Sequence, residues 1–428
     1  MSEQDLREAL RGLASPAHPP PRAREVVMAR LARRRRFRGI LVSGTAAVMV
    51  LGVVFASARV LHEDGRTAEP SLPRPPGAHQ PQDHQPGTFL PIAPSPLLPR
   101  HDAVGVWTGS EMLVVGGTTG PPCPPTADCA GPSDDTLRSD GAAYDPATDT
   151  WQAIPAAPRP VVGGLAAWSG TEMVVVTGGV TLAYDPLGES WRYLDPPPDG
   201  GFNQTVVTDQ GIVFGSYDKR PRSGMGSDWL LDPLVGTWLP MPADPFGESY
   251  DRSLAWDGER LWLLSMSVAN HSKAYGGAAS RVAVLEDGAW RVVSATPPMV
   301  YGQQWWFFEG LLVAPVSPAS PNARLGVFVT PGSTEWSSIP IAAVDPDDGL
   351  QECTLPPIGP GPEWLAGGGP VLTSLDPLAT TVVPPCAQLA LPDVAVWSGD
   401  QLIIWGGIAA GYEDNVNIGL TWRPPPPS

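Results

Sequence analysis

From Thr88 onward the apolar residues fall in short runs that alternate with small or polar ones, rather than recurring every three or four positions. That is the period of half-buried strands. The clearest stretch reads "HDAVGVW" (101–107), the turn "TGSE", the apolar run "MLVVGG", then "AAYDP" and "TWQAIP". It predicts four strands joined by three turns. The same succession returns as "GLAAWSGTEMVVVTGG" with "LAYDPLGESWRYLDPPP" from Gly164, and as "DVAVWSGDQLIIWGG" with "NIGLTWRP" near the C-terminus.

A turn and a tryptophan index the repeat. Asp145-Pro146 precedes Trp151, Asp185-Pro186 precedes Trp191 and Asp232-Pro233 precedes Trp238, each Trp following its Asp by six residues. Thr330-Pro331 with Trp336 and Asp376-Pro377 with Val382 fill the same slot, and "LEDGAW" ending at Trp290 is a shortened form. The index positions lie 40, 47, 52, 46 and 46 residues apart, and periods of that size belong to propellers or other repeat arrays. Proline fixes φ in the turn while the Asp carboxylate accepts local backbone N–H bonds. The Gly-Gly pairs permit backbone conformations or close approaches that a Cβ forbids.

An apolar strand ending in double glycine, followed by Tyr and Trp spaced along the outer strands, resembles the Kelch-repeat β-propeller family, here as a bacterial exported or membrane-anchored Kelch-like domain. The resemblance covers about residues 88–423. It implies an all-β propeller, with seven blades preferred and six as the fallback if the unit around Trp364 is not a blade. "TFLPIAPSPLLPR" (88–100) imitates "TWQAIPAAPRP", while the last unit supplies three strands and stops. The N-terminal strand is therefore expected to complete the last blade and remove the free sheet edges there. The index tryptophans are expected to pack between blades.

Ahead of the repeats lies a different composition. Residues 39–58, "GILVSGTAAVMVLGVVFASA", are twenty uncharged residues, enough for a helix of about 30 Å across a bilayer. Six arginines between Arg30 and Arg38 place the preceding segment in the cytoplasm and all that follows outside. We therefore divide the chain into a short basic cytoplasmic head with a helical start (1–37), a transmembrane helix (38–60), a Pro-rich linker (61–87) and the propeller (88–428). "ASA" at Ala56–Ala58 and the twin arginines leave cleavage of an export signal as the alternative. Both readings export the large domain.

Charge sharpens the division. The formal net charge of −17 conceals 11 arginines against 4 acids in residues 1–60 and 16 Lys or Arg against 40 acids in the rest. So acidic a domain repels phosphate backbones, and nucleic acid is not an expected partner. All four cysteines lie on the exported side, where disulfides persist. Proximity pairs Cys123 with Cys129 and Cys353 with Cys386, although spacing alone does not fix connectivity.

No constellation for chemistry emerges. His101 and His271 are the histidines of the repeat region, isolated on different units, so the ligand set of Kelch-fold copper oxidases is not supported. "DPDDG" (345–349) and "SDD" (133–135) lack the alternating spacing of a calcium loop. No G-x-S-x-G, phosphate loop or H-E-x-x-H occurs, so no enzyme activity and no cofactor are expected. Two groups could bind ligand. In "YGQQWWFFEG", Trp305 and Trp306 could stack on sugars or peptides, or the run could be a strand whose alternate aromatics pack between blades. Arg100, Arg159 and Arg252 precede or begin inner strands. The Kelch resemblance places such loops at the channel mouth, where arginines would select carboxylates; ordinary salt bridging at the strand start is the alternative.

The function expected is a membrane-anchored extracytoplasmic propeller, monomeric, that binds a protein or cell-envelope ligand. Transmembrane signalling through a cytoplasmic head that holds a regulator, in the manner of an anti-sigma factor, and an exported propeller enzyme acting on glycans are the alternatives.

Overall fold

The structure, a computed structural model, describes residues 87–426 apart from 125–126, 200, 217–227, 268–279, 294–305, 309–310, 314–323, 329–336, 341–354, 357, 361–364, 367–370, 376–377, 385 and 387–388. The predicted head, membrane helix and linker therefore lie outside the described residues, as do His271, Cys353, Trp305 and the "DPDDG" cluster. Among the described residues no helix is long and apolar enough to cross a membrane.

The described chain is all-β, with one 3-10 turn at Asp134–Thr136. Short antiparallel strands follow one another in sets of four. The first sheet contains β2 (His101–Trp107), β3 (Met112–Thr118), β4 (Gly141–Asp145) and β5 (Thr150–Ile154); the second contains β6 (Leu165–Trp168), β7 (Met173–Thr177), β8 (Val180–Asp185) and β9 (Ser190–Tyr193). The third runs β10 (Gln204–Val207), β11 (Ile212–Gly215), β12 (Trp229–Asp232) and β13 (Thr237–Pro240), and the fourth β14 (Ser249–Trp256), β15 (Leu261–Ser267), β16 (Ser280–Glu286) and β17 (Ala289–Val293).

Two strand pairs come next, β18 (Trp306–Phe308) with β19 (Leu311–Val313) and β20 (Arg324–Phe328) with β21 (Ser337–Pro340). Another four-stranded sheet comprises β22 (Gly359–Pro360), β23 (Leu365–Ala366), β24 (Val371–Leu375) and β25 (Leu378–Val382). The last is formed by β26 (Leu389–Trp397), β27 (Leu402–Ala409) and β28 (Asn415–Trp422), with β1 (Phe89–Pro91) added from the start of the domain. Phe89 pairs with Trp422 and Pro91 with Leu420, so the expected closure by the N-terminal strand is observed.

Each sheet places its first strand beside the first strand of a neighbour, in the succession β26, β2, β6, β10, β14, β18, β22. The arrangement is propeller-like. The core accordingly lies between sheets. Ala103, Met112 and Val114 of the first sheet meet Val394, Ile403 and Trp405 of the last; Val104, Leu113 and Val115 meet Met173, Val175 and Leu182 of the second. One sheet has two apolar faces and no means of burying both, which neighbours on either side resolve.

The repeated residues have the roles their chemistry suggests. Asp145, Asp185 and Asp232 each accept a backbone N–H two residues on through Oδ1, at 2.9, 2.8 and 2.9 Å. The index tryptophans are ties between sheets: Nε1 of Trp151, Trp191, Trp238 and Trp290 donates to the carbonyls of Ala93, Pro155, Asp195 and Pro242, at 2.8–3.0 Å. Every acceptor lies just beyond the fourth strand of the preceding sheet. At Gly116, φ is +74°, and a Cβ there would run into the Val161 carbonyl, so the strand can end in this way only as glycine.

Candidate functional site

The antiparallel order gives the domain two unlike faces. Turns from first to second strand and from third to fourth are short on one face, for example Thr108–Glu111 and Pro146–Asp149. The opposite face carries the connections from second to third strand and from one sheet to the next. Residues 119–140 fill the first of these. The loop in the first sheet holds Cys123 and Cys129, which form the expected disulfide. Its "SDD" carboxylates are exposed, and no group of three metal-ligating side chains occurs among the described residues. Cys386 is also disulfide-bonded, and its sequence-predicted partner Cys353 lies outside the described residues.

Both ends of the domain emerge on the short-turn face. The Gly87 N–H donates to the Arg423 carbonyl at 2.9 Å, and Arg423 in turn pairs with Asp400 of the short β26–β27 turn at 2.9 Å. Gly87, where the described residues begin, thus lies at the end of the domain opposite the long loops. This is the geometric fact that the sequence did not disclose.

Arg100 and Arg252 are on the long-loop face but not at its surface. Both are 0% exposed, which corrects the expectation that they offer guanidinium groups to an acidic ligand. Arg100 forks onto Asp140 at 2.8 and 2.9 Å and also donates to the carbonyls of Gly116 and Leu98. These bonds, then the charge of Arg100, hold the Asp140 carboxyl below its ordinary value. Arg252 forks onto Asp228 at 2.9 and 2.6 Å, reaches Asp244 at 3.2 Å and donates to the Ser216 carbonyl. Burial alone would lower its pKa; the hydrogen bond and charge of Asp228, with Asp244, carry it above the ordinary value instead.

The physical reason is the same in both places. A second strand that ends in an irregular turn exposes carbonyls with no strand partner, and a buried guanidinium supplies the missing donors while an acid before the third strand neutralises it. The acids were legible as "SD" before "GAAYDP" and before "WLLDP". The sheet that turns directly through Gly178-Gly179 has no such acid, and its arginine, Arg159, is exposed. Of the three candidate arginines, only Arg159 remains on the surface of the long-loop face.

Trp306 begins β18, so the strand predicted in the aromatic run is present, and Phe307 packs on the core between that pair and the fourth sheet. His101 opens β2, with Nδ1 2.8 Å from Asn415 Oδ1 of the last sheet. Beside it, Asp393 Oδ2 of β26 accepts the Ala103 N–H of β2 at 3.0 Å. Burial first, then the charge of Asp102, pushes the Asp393 carboxyl up to about 7 against the lowering effect of backbone donors and Arg100. These contacts sew the first sheet to the last.

No family model matches the chain. No curated protein matches it either. Among solved structures, that of YjhT is similar at 13% identity over 58% of this chain and 86% of that one, with a TM-score of 0.36.

Proposed function

We propose that the chain is a membrane-anchored, extracytoplasmic Kelch-like propeller of seven blades that binds a protein or cell-envelope ligand on its long-loop face. The observation that carries this is the polarity of the domain. Gly87, the first described residue, lies on the short-turn face, and the long loops, with their disulfide, point the other way. An anchor upstream of the linker would present those loops outward. A 27-residue extended spacer reaches roughly 80 Å, and the acidic domain is held off an anionic lipid surface by its own charge.

The seventh blade in this reading is made of the pairs β18–β19 and β20–β21, because β19 lies alongside β20. Long loops on a rigid repeating frame suit recognition, since loop sequence varies without cost to the frame. No catalytic group enters the proposal.

Site-specific photo-crosslinking in the native host tests it. A photoreactive residue at Gly131, exposed on the disulfide loop with open space around it, should give a discrete cross-linked species in the membrane fraction. The same residue at Leu234, 77% exposed in a short turn on the opposite face, should not. Equal cross-linking from both positions, or a mature N-terminus at Arg59 in soluble material, would refute the anchored, face-directed reading.

A further inference from the structure

Arginines in this protein have a habitual partner. Arg192 presents its Nε and Nη2 edge to Glu172 at 3.0 and 2.8 Å, and Arg291 presents the same edge to Glu286 at 2.9 and 3.0 Å. Arg281, like Arg138, departs from that pattern. It stands at the start of β16, at the long-loop end of the interface between the third and fourth sheets, and its Nη1 is committed to the Phe246 carbonyl at 2.9 Å. Its guanidinium carbon lies 4.6 Å from the centre of the Phe246 ring. The Nε and Nη2 atoms are buried and have no hydrogen-bond partner.

A second group points to the same spot. Ser265 of β15 is the direct cross-strand partner of Arg281, so the two side chains leave the same face of the sheet with Cβ atoms about 5 Å apart. Ser265 is 0% exposed, and its Oγ also lacks a partner. Asp244 is the carboxylate whose charge Arg281 feels, but it does not close the gap. Its Oδ2 accepts from Arg252 and its Oδ1 from the Phe246 N–H, and neither Nε nor Nη2 of Arg281 hydrogen-bonds to it. Two parallel N–H donors and a hydroxyl, held by a carbonyl and an aromatic face, match the two oxygens of a carboxylate in the side-on fork.

We propose that the interface between the third and fourth sheets is a carboxylate-binding site, with Arg281 as the forked donor, Ser265 as the third donor and Phe246 as the platform that fixes the guanidinium plane. The ligand is a small organic acid or the carboxylate of a bound peptide. The site is independent of whether the chain is anchored in a membrane.

The test uses the purified full chain and titrates it with sodium acetate, and separately with sodium sulfate, at ionic strength held constant with chloride. Thermal unfolding is followed throughout. Acetate should raise the midpoint saturably. Arg281→Lys retains the charge and loses the fork, and should weaken the acetate response at least roughly ten-fold. Ser265→Ala, which removes one donor and keeps the packing, should weaken it less, with the near-ultraviolet circular dichroism of both variants unchanged. A peptide with a free C-terminus, compared with its amide, separates a chain end from a small acid as the natural source. An identical response in Arg281→Lys would overturn the proposal. So would saturation by sulfate at lower concentration than acetate, and so would no saturable response, in which case water fills these valences.

Discussion

Replacing Asp393 by Asn should stabilise the protein, and only above acidic pH. The carboxylate lies at the seam between the last sheet and the first, where Oδ2 accepts the Ala103 N–H, Asp102 is a like-charged neighbour and Arg100 an opposing one. Its pKa rises from 3.8 to about 7, with burial the leading cause. The native state therefore holds this proton more tightly than the unfolded chain. Below the unfolded value both states are protonated and the group contributes no penalty; as pH rises towards 7 the unfolded chain ionises first and native stability falls, levelling off once both are charged.

The interval corresponds to about 4 kcal/mol at 1.36 kcal/mol for each pH unit, and to about 2–3 kcal/mol once the solvent that still reaches the side chain is allowed for. Asn keeps an oxygen for the Ala103 N–H and removes the charge. Urea unfolding of wild type and Asp393→Asn at half-unit steps from pH 4.5 to 8 should give curves that nearly coincide at the acidic end. The variant should be about 2–3 kcal/mol more stable at pH 8. A variant less stable than wild type at pH 8, or a gap that does not change with pH, would refute the reasoning.

Three further outcomes concern two ties between sheets and the disulfide loop. Arg252→Met should cost about 3–5 kcal/mol, because Asp228 is left buried without its cation, and Asp228→Leu added to it should recover part of that loss; denaturant midpoints measure both. Trp191→Phe keeps a ring against Tyr184 but loses the bond to the Pro155 carbonyl, and should lower stability by about 1 kcal/mol in the same assay. Reduction of Cys123–Cys129 should open residues 119–133 to proteinase K while the unfolding midpoint moves little, since the bridge closes a short loop, 6 residues apart, and constrains that loop rather than the frame.

The frame was legible because its signals are local. Strand alternation, the Asp-Pro turn and the following Trp each act within a few residues, and the imitation of "TWQAIP" by "TFLPIA" disclosed the pairing of β1 with β28. The roles of Arg100 and Arg252 were not legible, because an arginine that greets a ligand and one that satisfies orphan carbonyls have the same neighbours in sequence. What separates them is an acid 40 residues later in one case and 24 residues earlier in the other, across loops of unequal length. Arg281 was missed for the opposite reason: its distinction is a missing partner, and a sequence does not record what fails to touch.

The two faces differ for a reason that the repeat itself imposes. A turn of two to four residues between paired strands must adopt one of a few backbone shapes, and the Asp-Pro and Ser-Gly sequences on the short side meet that demand in sheet after sheet. The connections on the other side join strands at the end where sheets meet their neighbours, so their geometry is set by packing between sheets and not by hairpin closure. There Gly-Gly, a buried Arg–Asp clamp or a disulfide-bonded insertion are interchangeable solutions, and each leaves a different surface above it. The same freedom allows Arg281 to stand without an internal carboxylate while the frame is kept. Its Nη1 bond and the Phe246 ring hold the side chain in place, and the buried edge left without a partner lies at the long-loop end of the sheets.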